Sequence, residues 1–159
     1  MKQIMITLSV LLTSSLLVAG GNMPSSLPKV VPVIAQGEQK VYIDSEHALM
    51  WQDEAYADVE EGAYKNGNTF GKAGNHAHAT LYCARLYYAG YSDWRLPTAD
   101  ELRDVHHPEG QSFKYFRADD FWSSTPATEG RYYVVFPADA YRFARNKGQS
   151  NYIRCVRHQ

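Results

Sequence analysis

Two cysteines, Cys83 and Cys155, are the strongest constraint in this 159-residue chain, because a bond between them would tie distant stretches into one unit. How they are read depends on the compartment. The chain opens MKQIMITLSVLLTSSLLVAGG, with Lys2, an apolar run over 4–18 and small residues at Ala19 and Gly20, which is the arrangement of a cleaved secretory signal. Residues 1–20 are therefore expected to be removed on export. The apolar run is short for a membrane span and no charged stop-transfer segment follows it, so no retained membrane anchor is expected, and no cysteine follows the run as a lipoprotein anchor would need. In an oxidising space two thiols are more readily a bridge than a metal pair. One disulfide is expected, and closing a loop of about 70 residues contributes about 4 kcal/mol by the chain-entropy relation.

The length suits one domain with a modest core. Residues 21–40 carry three prolines and no sustained periodicity, which predicts an exposed linker or N-terminal arm. Val30, Val31, Val33 and Ile34 offer the alternative of a strand added to the domain or to a partner. The domain itself spans 41–159. KVYIDSEHALMWQD predicts two short strands turning near Ser45 and Glu46, and the acidic, Gly- and Asn-rich QDEAYADVEEGAYKNGNTFGKAGN predicts a long surface loop. Ala79, Tyr82, Cys83 and Leu86 recur at helical spacing, with Asn75 as cap and Gly90 as stop, so a helix is expected over 76–89.

The stretch DWRLPTADEL, residues 93–102, combines Trp94, Arg95, Pro97, Thr98 and Glu101. Thr98 and Glu101 have capping-box spacing, Pro97 precedes the cap and is placed to pack on Leu102, and Pro108 ends the run, giving a second helix over 99–107. Trp94 reads as core and Arg95 as a structural ion-pair or carbonyl partner, with oxyanion binding as the alternative. FWSST, RYYVVF, YRFA and YIRCVR then read as short strands of an antiparallel sheet. Cys155 falls in the last strand, so the disulfide would join the first helix to the last strand. The fold class is α+β, with two helices and small antiparallel sheets.

ALMWQD with Trp51, ATLYCARLYYAGYSDWRLPTADEL, FWSST with Trp122 and NYIRCVR with Arg154 occur in an order and spacing that resembles the C-terminal domain of bacterial collagen-like adhesins, the Lcl C-terminal family. The resemblance covers residues 44–157. It implies a C-type lectin-like fold with a disulfide between the first helix and the last strand, and an exported protein of the bacterial periplasm or cell surface. It further implies binding of sulfated glycosaminoglycan or another acidic surface polysaccharide, in adhesion. No Gly-X-Y collagen stalk is present in this chain, so trimerisation and avidity do not carry over.

Charge is polarised along the chain. Residues 41–70 hold seven acids against one Lys, whereas 111–159 hold eight Lys or Arg against four acids. Arg131, Tyr141, Arg142, Arg145 and Lys147 are the candidate ligand-binding set, a basic and aromatic face for sulfate or carboxylate groups. The competing reading is that alternate strand arginines point to opposite faces or pair with the acidic loop. Arg154 and Arg157, beside the disulfide, read as structural ion-pair residues.

No cofactor or metal is expected. Asp53, Glu54, Asp58, Glu60 and Glu61 offer the oxygen ligands calcium takes, but their spacing matches no calcium loop, and a solvated acidic loop is the simpler reading. The Glu-Pro-Asn, Gln-Pro-Asp and Trp-Asn-Asp motifs of calcium-dependent lectins are missing from the sequence. His76 and His78, and His106 and His107, have spacings that send ring pairs to different sides of a helix, so they read as surface or helix-end histidines. Catalysis is not expected. The formylglycine-generating enzymes, which share a related fold, need reactive cysteines, and here both fall at the bridge; Ser123 and Ser124 lie in no nucleophile-elbow pattern. An exported, slightly acidic chain is a poor nucleic-acid binder. The alternative function is an envelope structural or assembly component whose 30–34 arm docks on a protein partner.

Overall fold

The computed structural model describes residues 33–34, 39–106 and 112–159; the predicted signal, Val30, Val31 and His107 lie outside them. The described residues form three helices and ten strands. β1 (Val33–Ile34) pairs parallel with β5 (Leu86–Tyr87). β2 (Val41–Asp44), β3 (Leu49–Gln52) and β10 (Val156–His158) form an antiparallel sheet in the order β10-β3-β2, with Val156 opposite Trp51. The two ends of the domain thus close on one another. A five-stranded sheet runs β4 (Ala73–Gly74), β9 (Asn151–Tyr152), β6 (Phe121–Pro126), β7 (Arg131–Phe136), β8 (Tyr141–Asn146). It is mixed, not purely antiparallel as expected, because β9 returns alongside β6 in the parallel sense.

Side-chain alternation makes the large sheet a partition between two cores. On β7, Val134 packs with Tyr82, Trp94, Trp122 and Ile153, while its neighbour Val135 packs with Trp51, Leu102, Phe113 and Phe121. The chain leaves one sheet for the other at residues 153–155, where the Ile153 N–H donates to the Lys72 carbonyl and the Cys155 carbonyl accepts from Gln52. The expected single strand through YIRCVR is therefore two strands, each claimed by a different sheet.

Three helices stand where two were expected. α1 (Asp58–Lys65) lies inside the stretch read as a loop. It was hidden because its inward face holds Glu60 and Ala63 in place of an apolar stripe. Glu60 is 5% exposed; its carboxylate accepts from the backbone N–H of Ala57 at 2.9 Å and of Lys72 at 2.7 Å, and it pairs with the Lys72 ammonium at 3.1 Å. Gly71 makes this approach possible: its φ is +53°, and a Cβ there would stand 2.3 Å from Glu60 Oε1.

α2 (His76–Arg85) starts on its Asn75 cap, whose side chain accepts from the His78 N–H at 2.9 Å. It stops before Gly90 because Leu86 turns extended, buries completely and pairs with β1. α3 (Ala99–Val105) carries the capping box: the Glu101 N–H donates to Thr98 Oγ1 at 3.2 Å and the Thr98 N–H donates to Glu101 Oε2 at 2.8 Å.

Cys83 and Cys155 are bonded, with Cα atoms 5.5 Å apart across 72 residues of sequence. Since α1 precedes it, the helix holding Cys83 is the second, not the first, and Cys155 immediately precedes β10 instead of lying within it. Among the described residues no helix is long and apolar enough to cross a membrane.

Candidate functional site

The first turn of α2 faces the β7–β8 hairpin, and His76 sets the distance between them. Its ring lies 3.4 Å from that of Tyr132 at an interplanar angle of 13° and meets Trp122 edge-on at 5.2 Å. Nε2 is 3.0 Å from the Ser123 carbonyl; a carbonyl only accepts, which assigns the ring hydrogen to Nε2. Burial pushes the His76 pKa below its ordinary value, against a smaller opposing effect of the Ser123 carbonyl, so the ring is neutral near pH 7. The His76 backbone N–H donates to the Lys147 carbonyl at 3.0 Å, pinning the loop after β8 to the helix start.

A groove of about 580 Å³ is left between these elements. Ala77, Thr80 and Leu81 wall it on the helix side, with Leu81 half exposed, and Tyr132 and Lys147 wall it on the other. Thr80 Oγ1 donates to the His76 carbonyl at 3.1 Å. The first turn of α2 carries no acid, so the positive end of the helix dipole is not neutralised there. Lys147 is exposed and has no carboxylate in ion-pair range among the described residues, and the same holds for Arg131. Both stand at one end of the hairpin, since Arg131 is opposite Asn146 and the Lys147 N–H donates to the Gly130 carbonyl at 3.0 Å, but Lys147 lines the groove whereas Arg131, the strand neighbour of Tyr132, alternates to the other face of the sheet. A groove with an apolar floor and a cationic rim can hold an anionic group attached to a ring.

The other three members of the expected basic face are not brought to this rim. Register places Arg142 opposite Val135 and Arg145 opposite Tyr132, on opposite faces of the sheet. Arg142 reaches Asp100 of α3 at 3.1 Å and lies over the Tyr133 ring at 5.0 Å. Arg145 bonds Asp120 at 2.8 Å and lies over Phe143 at 4.5 Å. Tyr141 is 63% exposed and stacks on Phe143, not in the groove. The five residues therefore form no single face, because strand alternation divides them and carboxylates from elsewhere meet two of the arginines. His76, Tyr132, Thr80 and Leu81 were not singled out for a site. Only the Asn75 cap signal, which starts the helix at His76, pointed there.

The acidic stretch is not a solvated loop. Asp53 accepts from the backbone N–H groups of Lys114 and Tyr115 at 2.8 and 3.0 Å and pairs with Arg154 at 3.4 Å. Glu54 pairs with Lys72 at 3.3 Å and accepts from Gln52 at 3.0 Å. Glu61 pairs with Lys65 and, at 3.2 Å, with Arg117, and these two cations hold its carboxyl below the usual range. Asp58 stands in the first turn of α1. Cations thus meet Asp53, Glu54, Glu60 and Glu61, four of the five carboxylates that calcium would need, and no cluster of three metal-ligating side chains occurs among the described residues.

The remaining motif residues build the frame. Trp51 and Trp122 are fully buried; Trp122 Nε1 donates to the Gly74 carbonyl at 2.8 Å, and Trp94 Nε1 donates to the carbonyls of Tyr88 and Tyr91 at 3.2 Å. Arg95 holds Glu101 through two bonds of 2.8 and 2.6 Å, the bidentate geometry guanidinium favours. The Pro97 carbonyl accepts from the Ser124 N–H at 2.7 Å, linking the α3 entry to β6. Arg157 pairs with Asp93 at 2.7 Å.

No curated protein matches this chain. Residues 40–157 match the family model of the Lcl C-terminal domain, a span that takes in the five-stranded sheet, the three-stranded sheet up to Arg157, the three described helices and the disulfide, and the chain belongs to that family.

Proposed function

We propose that this protein is an exported, non-catalytic binding domain with a C-type lectin-like fold, which takes acidic or sulfated polysaccharide in the groove between α2 and the β7–β8 hairpin and so serves adhesion. The observation that carries this reading is the pairing pattern of the cations. Lys72, Arg95, Arg117, Arg142, Arg145, Arg154 and Arg157 all meet carboxylates, whereas Lys147, in the wall of the groove, has none in range among the described residues. A cation in a groove wall that no carboxylate of the fold engages is open to an external anion. The absence of acids from the first turn of α2 acts in the same direction. Export is supported by the buried Cys83–Cys155 bridge, which belongs in an oxidising compartment. The non-catalytic part is supported by His76, whose Nε2 hydrogen is committed to the Ser123 carbonyl and whose ring is stacked, so it is poorly placed to exchange protons with a substrate.

The test is retention on immobilised heparin and on uncharged dextran across a salt series, with the oxidised protein. Heparin retention that weakens with salt, together with earlier elution of Lys147→Gln than of Arg131→Gln, whose side chain lies on the other face of the sheet, is the expected result. Equal retention of both variants and the parent would remove the groove as the site, and no salt-sensitive retention at all would remove acidic glycan as the ligand.

A further inference from the structure

The loop that gives Lys147 and Gly148 to the groove gives Gln149, Ser150 and Asn151 to a second, open cavity of about 280 Å³, walled also by Tyr64, Lys65, Asp120 and Arg145. Two polar groups in its wall are orphaned. Ser150 Oγ and Asn151 Nδ2 are out of solvent contact and find no hydrogen-bond partner among the described residues, although Ser150 is 9% and Asn151 2% exposed. A buried donor left unmade costs about 1–3 kcal/mol, and two such groups side by side in a cavity wall call for an occupant that completes them. The Asn151 backbone is held in β9 opposite Gly74, and the residue is 2% exposed.

The complement of the cavity is mixed. Asn151 Nδ2 donates, Ser150 Oγ donates or accepts, and Asp120 accepts through Oδ1, since both guanidinium bonds from Arg145 fall on Oδ2 at 3.2 and 2.8 Å. Tyr64, stacked on Tyr152 at 4.5 Å, supplies an aromatic wall. Sulfate and carboxylate only accept; here they would meet the Asp120 carboxylate, and the two cations of the wall, Lys65 and Arg145, are already paired with Glu61 and Asp120. A sugar hydroxyl donates and accepts at once, and aromatic walls suit the apolar face of a sugar ring.

We propose that this cavity is a subsite for a neutral, hydroxylated sugar unit. Together with the groove it would suit a polysaccharide in which neutral and acid-bearing units adjoin. That extension rests on the acidic-glycan reading, whereas the cavity's own chemistry does not.

The experiment titrates the ¹⁵N-labelled, oxidised full chain separately with N-acetylglucosamine, galactose, mannose and sodium sulfate, following the Asn151 side-chain amide and the backbone amides of Gln149, Ser150, Ala77 and Lys147. The expected result is a saturable shift of the Asn151 side chain with at least one neutral sugar at millimolar concentration, weakened fivefold or more in Ser150→Ala. Sulfate should move Ala77 and Lys147 instead. The Ser150 hydroxyl has no hydrogen-bond partner in the protein, so this variant is expected to keep or exceed the parent's thermal midpoint. An Asn151 amide that ignores all three sugars would overturn the proposal, leaving water as the occupant, and an Asn151 amide that answers sulfate alone would overturn it in favour of an anion site. A protein that ignores heparin yet shows the sugar shifts would refute the acidic-glycan reading and support this one.

Discussion

Arg154→Met is the substitution whose cost follows most directly from the structure. Arg154 is 1% exposed; it pairs with Asp53 at 3.4 Å, donates to the carbonyls of Gln52 and Tyr115, and lies 3.7 Å over the Phe113 ring. It therefore binds the end of β3, the segment before β6 and the chain beside the disulfide at a single point. Methionine keeps much of the volume but leaves the Asp53 carboxylate, itself 4% exposed, without its cation, and leaves two buried carbonyls short of a donor. Breaking a buried pair on one side costs about 3–5 kcal/mol, a large share of the roughly 5–15 kcal/mol that holds a domain folded. Equilibrium urea unfolding of the oxidised protein, followed by tryptophan fluorescence, measures the loss. The double variant Asp53→Asn, Arg154→Met should fall short of the summed single losses by about 0.5–3 kcal/mol, because the stranded charge is then gone. A loss below about 1 kcal/mol for Arg154→Met would refute the reasoning and show that the two backbone N–H groups satisfy Asp53 unaided.

Replacing both Cys83 and Cys155 by Ala should lower unfolding free energy by about 4 kcal/mol, the loop-closure value for the 72-residue separation, and dithiothreitol should reproduce that loss in the parent; an unchanged urea midpoint would contradict it. Thr98→Ala removes the α3 cap acceptor and should cost about 1 kcal/mol in the same assay. Gly71→Ala should cost more than about 1 kcal/mol, since it forces a side chain into positive φ and against Glu60 Oε1. Burial lowers the His76 pKa, so the unfolded chain takes up its proton at higher pH than the folded chain. The stability that His76 contributes is therefore present above about pH 6.5 and is lost as pH falls through the folded value. His76→Gln should flatten the parent's decline in urea midpoint on acidification below pH 6.5, and identical slopes would show that burial does not set this titration.

What could be read without coordinates was what neighbours in sequence decide. The capping box of Thr98 and Glu101, the Asn75 start of α2 and the turn between β2 and β3 are settled within a few residues, so their side chains announce them. The family itself was legible for a related reason: its motif blocks keep their order and spacing along the chain. α1 was not, because the residue that makes its inward face buriable, Glu60, is neutralised by Lys72 twelve positions further on and admitted by Gly71. The candidate site shows the same division. That Arg142 and Arg145, three apart on a strand, face opposite ways follows from alternation alone, but that Asp100 and Asp120 wait on those two sides does not.

The sequence by itself determined a disulfide-bearing α+β domain of the Lcl C-terminal family with a polarised charge distribution, since cysteine count, local caps and motif order do not depend on how distant segments meet. Tertiary structure alone decided which cations remain unpaired, that α2 and the hairpin enclose a groove, and that Ser150 and Asn151 face a cavity without partners. Each of these depends on sheet register and on the crossing of the chain between two sheets, which bring together residues far apart in sequence, and a single strand shifted by one position would send every one of its side chains to the other core.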